Sequence, residues 1–161
     1  MSDWLIPIRW IHVFSGSMWF GEVVVINFIL IPVIANLQGE ARKQYVSNVF
    51  PRVFRMASVL SATSVITGVI LVTIYTDWQY GKLLSGRWGL SILVGGGMGL
   101  LLTLFHFFME DKMARKIGIG CPDMETEVLD DVHAKLKIVP RLGLLVISTI
   151  FALMMYAVRG F

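Results

Sequence analysis

The sequence predicts an all-α integral membrane protein, a four-transmembrane-helix bundle with both termini outside. Three observations carry this. Of the 161 residues, 56% are hydrophobic and 16% charged, with a mean hydropathy of +0.72, far too apolar for a soluble domain of this size. A span needs about 20 mostly apolar residues to cross a hydrocarbon core about 30 Å thick. Four stretches qualify: residues 4–35, 53–75, 88–109 and 138–158. The basic residues are also sorted. Arg42, Lys43, Arg52 and Arg55 lie in or just beside the segment between the first two spans, and Lys112, Arg115, Lys116, Lys135, Lys137 and Arg141 in or just beside the one between the last two. That is ten of the fourteen on one side, against Arg9, Lys82, Arg87 and Arg159 on the other. The positive-inside rule then puts both basic connections in the cytoplasm and both termini outside, in the cell membrane.

One domain, 1–161, accounts for the chain. The first span starts close to Met1 but has no basic n-region, is too long and lacks a small-x-small cleavage site, so it reads as a retained helix and not as a signal peptide. Residues 36–50 are expected to form a short amphipathic helix on the cytoplasmic surface, with Ala41, Tyr45 and Val49 at helical spacing before Pro51 resets the chain. In the second span Ala57, Ser61, Ser64 and Gly68 share one face. The outer connection TDWQYGKLLSGRW carries the Trp and Tyr of an interfacial belt. In the third span Gly95, Gly99 and His106 share a face, and the G-x-x-x-G step lets backbones approach closely, the main way helices associate in lipid. The cytoplasmic loop 110–137 begins as a charged helical extension, breaks at GIGCPD and resumes as METEVLDDVHAKLK before the last span. Cys121 stands alone, without a disulfide or Cys-x-x-Cys partner.

Chemistry is sought where polarity enters a span, because a central charge costs ~2.5–3.5 kcal/mol or more and tends to face the bundle. The run RWIHVFSGSMWFGE, residues 9–22, contains His12 and Glu22, and His106 lies in the third span. On a helical wheel His12, Gly16, Trp19 and Val23 form one stripe, with Ser15 and Glu22 on its flank. A histidine beside an aromatic plane and a glycine gap suits the edge of a flat macrocycle. It equally suits a histidine hydrogen-bonded across to a serine or a backbone carbonyl. Trp19 reads as core packing or as part of that pocket. Glu22 is either a neutral, hydrogen-bonded acid or the lining of a proton or cation route.

Helix rise tests a bis-histidine site. At about 1.5 Å per residue, His12 lies roughly 12 Å below Trp4 and His106 roughly 27 Å below Trp88. The gap of about 15 Å keeps two imidazoles from one iron, whose ligating nitrogens are only about 4 Å apart. A separate cytoplasmic site of His106, Glu110 and His133 has the donors of a transition-metal centre.

The runs RWIHVFSGSMWFGEVVVINFILIPV and NVFPRVFRMASVLSATSVITGVIL resemble the membrane domain that precedes the cytochrome c portion in some bacterial urate oxidases. That group is similar to the four-helix units of copper-resistance D proteins and of the membrane-bound protoporphyrinogen oxidase. The matching features are Arg9, Trp10, His12, Gly16, Trp19 and Gly21 in the first span and Pro51, Arg52 and Gly68 around the second. The resemblance implies a compact helical bundle and, from the oxidase branch, a b-type haem with His12 as a ligand. Arg9, one turn above, is then placed to hold propionates, and Met154 or Met155 to supply a sixth ligand. The oxidase branch has a lysine early in its third span; here the stretch reads RWGLSILVG, with Ser91 nearest.

The expected function is therefore haem b binding in electron transfer, as a small oxidoreductase component of a membrane homo- or hetero-oligomer that works with a quinone or a soluble electron carrier. Two alternatives stand beside it: a copper-handling or ion-transport module built on His12, Glu22 and the methionines, and a non-catalytic structural subunit. The pI near 9.2 reads as topology and anionic-lipid contact, and no aromatic-basic interleaving points to nucleic acid. No G-x-S-x-G elbow, Walker loop, H-E-x-x-H or Cys-x-x-Cys-His is present, which leaves hydrolytic, nucleotide-driven and covalent-haem chemistry without visible apparatus.

Overall fold

The computed structural model describes the backbone of residues 4–117 and 126–159, and their side chains apart from 110, 111, 113–117, 126–137 and 159. The described chain is all-helical, with four helices long and apolar enough to cross a membrane. Helix α1 runs over Leu5–Asn36, α2 over Gly39–Thr76, α3 over Gly86–Ile117 and α4 over Thr126–Arg159. Helix α1 packs on α2, α2 on α3 and α3 on α4, and a thinner contact between α1 and α4 closes the ring.

The core takes one layer from every helix. Trp19 and Val23 of α1, Ala57 of α2, Leu102 of α3 and Ile147 of α4 are buried together, edged by Phe20, Leu60 and Ile150. The outer surface is as apolar as the core. Phe28, Leu101, Phe108, Leu145 and Val158 are each more than 60% exposed, so the sequence spends hydrophobic residues on both sides of each helix. A soluble monomer rarely exposes so much contiguous apolar area.

Two elements differ from the sequence reading. Pro51 does not reset the chain: the segment after Gly39 and the second span are one 38-residue helix that runs through it. An interior proline removes one hydrogen bond and crowds the carbonyl of Ser47, at a cost of ~3 kcal/mol or more. Buried Val46, Phe50 and Ala57 on either side hold the helix together across that defect. In α1 the turn at Ile26–Leu30 widens to a π-helix. It lies directly before Pro32, which cannot donate to the Phe28 carbonyl, and a wider turn is a recognised way to absorb such a break. Asn27 stitches this turn, its Nδ2 donating to the Val23 carbonyl at 2.8 Å and to the Pro140 carbonyl of α4 at 2.9 Å.

The connection between α2 and α3 is tightly built. Helix α2 ends in a Schellman motif, with the Trp78 amide donating to the Thr73 carbonyl and the Asp77 amide to that of Ile74. Asp77 and Trp78 take left-handed conformations, φ 53° and 61°. Lys82 Nζ donates to the Thr76 carbonyl at 3.0 Å. A 3₁₀ turn at Tyr80–Leu84 then folds onto the first turn of α3. At Gly89 a Cβ would stand 2.6 Å from the carbonyl oxygens of Lys82 and Leu83, so only glycine lets that turn approach.

Candidate functional site: His12 and the small-residue seam

Small residues bring α1 and α2 together around His12. Ser61 and Ser64 on the α2 face are buried, as is Ala57, in the register the sequence predicts. A Cβ on Gly16 would stand 3.2 Å from Ser64 Oγ, and one on Gly68 would stand 3.0 Å from His12 Cε1 and 3.3 Å from its Nδ1. The imidazole thus lies directly on bare backbone.

That contact fixes the ring's chemistry. His12 Nδ1 is 2.8 Å from the Ser64 carbonyl oxygen. A carbonyl only accepts, so Nδ1 carries the proton, and in the neutral ring Nε2 keeps the lone pair. Thr67 Oγ1, 3.4 Å from Nδ1, donates to the Thr63 and Ser64 carbonyls at 2.6 and 3.1 Å. Among the described residues, Nε2 makes no hydrogen bond. An imidazole tied through Nδ1–H to a carbonyl has the fixed tautomer and orientation of a metal-ligating histidine. The cross-helix carbonyl bond is also the other arrangement the sequence allows for a histidine in a span.

The remaining candidates divide between the two ends of the stripe. Arg9, one turn above His12, donates to the Tyr75 hydroxyl, and its guanidinium lies 5.7 Å from that ring's centroid. Trp19 is 3% exposed, in the central core, and meets His106 edge-on with centroids 5.7 Å apart. His12 and His106 are therefore about seven residues of α1 apart, about 10 Å of helix, in keeping with separate sites. Met154 packs into the α3–α4 seam, its Cε 3.1 Å from where Gly95 would carry a Cβ, while Met155 points outward, 51% exposed. The side chains of Glu110 and His133, like Cys121, lie outside the described residues. Among the described residues no three His, Cys, Asp or Glu side chains gather as a metal-binding group.

Glu22, 7% exposed, is buried against α2, where its carboxyl meets the backbone of Ala57. No family model matches the chain, nor does any curated protein or solved structure. Sequence reasoning missed Asn27, the residue that ties α1 to α4. Its one signal was an amide in an otherwise apolar run.

Proposed function

We propose that the protein is a multi-pass component of the cell membrane, termini outside, that binds haem b through His12 and takes part in electron transfer. The single observation that carries this is the hydrogen bond from Nδ1 to the Ser64 carbonyl, which leaves Nε2 as an oriented donor. The residues fit the group in that respect. His12 would hold it, Gly68 seats the ring, and the Ser64 carbonyl fixes the tautomer and the ring's orientation. When bound, haem supplies one-electron chemistry. The likeness of Arg9, His12, Gly16 and Gly68 to the urate-oxidase and protoporphyrinogen-oxidase membrane domains supports the same assignment, and the ten-to-four split of basic residues supports the orientation.

The test is the absorbance spectrum of the protein purified from cells supplied with haem precursor. A Soret band is expected, lost in His12→Ala and kept in Trp19→Phe. A colourless wild type that gives no saturable Soret shift in the difference spectrum on titration with haemin refutes the reading. The structural-subunit reading is favoured by the same Ser64 bond, since that bond ties α1 to α2. It is the better account if His12→Ala loses stability and no spectrum is ever seen.

A further inference from the structure

Three of the four helices have a broken backbone ladder at one level. Helix α1 widens at Ile26–Leu30 and meets Pro32, α2 runs through Pro51, and α4 through Pro140. The π-turn follows Trp19, Pro51 precedes Ala57 and Pro140 precedes Ile147 of the central layer, in each case by about 10 Å of helix. Two observations fix the level independently. Asn27 Nδ2 reaches the Pro140 carbonyl at 2.9 Å, and Ile26 and Leu30 share the wall of a cleft with Val53. Helix α3 contains no proline and passes the level as a plain α-helix.

The alignment matters mechanically. A proline or a π-turn is where a helix bends, but straight neighbours block a bend in one packed helix unless they yield at the same height. Here α1 and α2 yield together. Beyond the level they continue as a hairpin of Ile31–Asn36 and residues 39–50, joined by Leu37 and Gln38 in extended conformation. Ile34, Val46 and Phe50 of this hairpin are almost wholly buried, yet none belongs to the layer around Trp19. The hairpin therefore has packing of its own. Between it and the central layer lies the cleft, about 250 Å³, with Ile26, Leu30, Val53, Met56 and Leu60 in its wall beside Glu22. Sparse packing at that height lowers the free energy of local motion, so both strands can bend without shedding core contacts.

We propose that the π-turn of α1 and Pro51 of α2 form a hinge on which the hairpin 31–50 swings against the His12 end of the bundle, with α3 as the spine. Such hinges absorb motion at a few residues while the bodies on either side stay rigid. The swing leaves the His12 site in place and is independent of the electron-transfer reading.

Double electron–electron resonance on the full chain in phosphatidylcholine nanodiscs tests this. On a Cys121→Ser background, Ala41→Cys carries a nitroxide near the hairpin tip and is paired in turn with Leu101→Cys on α3 and Leu145→Cys on α4. Val69→Cys with Leu101→Cys is the reference pair, confined to the bundle. All four positions are exposed. Ala41 stands on an arm of about 15 Å from Pro51, so a swing of about 20° moves it by about 5 Å. In at least one pairing the Ala41 distribution should be broader than the reference by about that much. Pro51→Ala restores a helix hydrogen bond and so favours folding; it should remove about half of the excess width, and Pro32→Ala with Pro51→Ala nearly all of it. Ala41 distributions as narrow as the reference in both pairings overturn the proposal. So does an excess width that the double variant leaves unchanged, because the spread then comes from fraying at the tip and not from the hinge.

Discussion

Gly68→Ala tests the geometry around His12 most directly. The new methyl would lie 3.0 Å from Cε1 and 3.3 Å from Nδ1, where carbon contacts settle at about 3.5–4.0 Å. The ring must retreat by roughly 0.5–1 Å, and the 2.8 Å bond to the Ser64 carbonyl then stretches past the useful range. Losing that bond costs about 0.5–1.5 kcal/mol, and crowding of a packed seam about 1–3 kcal/mol. Against this, alanine returns about 1 kcal/mol of helix propensity. Crowding wins, for a net loss of about 2 kcal/mol. Gly97→Ala is the control, because a Cβ there meets nothing within 4 Å and the propensity gain stands alone, about 1 kcal/mol of stabilisation. The two variants should differ by about 3 kcal/mol when unfolded by dodecyl sulfate in mixed micelles. Gly16→Ala should fall between them, because the contact at 3.2 Å is with Ser64 Oγ, which can rotate away. If Gly68→Ala matches Gly97→Ala, the imidazole is not wedged on α2 and the orientation of Nε2 loses its basis.

Further expectations use the same unfolding assay. Trp19→Ala should cost about 3–5 kcal/mol, because the side chain is 3% exposed and central to the core layer; a loss below 1 kcal/mol would mean that this layer is not packed as described. Asn27→Ala should cost about 1–2 kcal/mol through two lost carbonyl bonds, only one of which crosses helices. Hydrogen exchange should then rise near Val23 and Pro140, and unchanged exchange at both refutes the stitch. Asp77→Gly should stabilise by about 0.5–1 kcal/mol, since φ 53° at the end of α2 suits glycine better than any side chain; a destabilised variant would mean that the Asp77 side chain supports the turn.

The candidate site was legible in part. His12 could be picked out because imidazole is expensive in an apolar run, and the Ala57–Ser61–Ser64–Gly68 face because small residues at helical spacing mark a close seam. What met what could not be read. Arg9 meets Tyr75, 66 positions away, and Trp19 meets His106 across the bundle. Met154, one methionine among nine, fills the gap at Gly95.

Composition and periodicity by themselves determined that the chain is helical, that four helices are long enough to cross a bilayer, and which faces are small or polar. These follow from local rules: turn geometry, hydropathy and the cost of a polar group in an apolar run. Tertiary structure alone decided that α2 survives Pro51, which nitrogen of His12 is protonated, and that Glu22 lies in the wall of a cleft. Each of these depends on atoms from a second helix, whose distance and register no local pattern encodes.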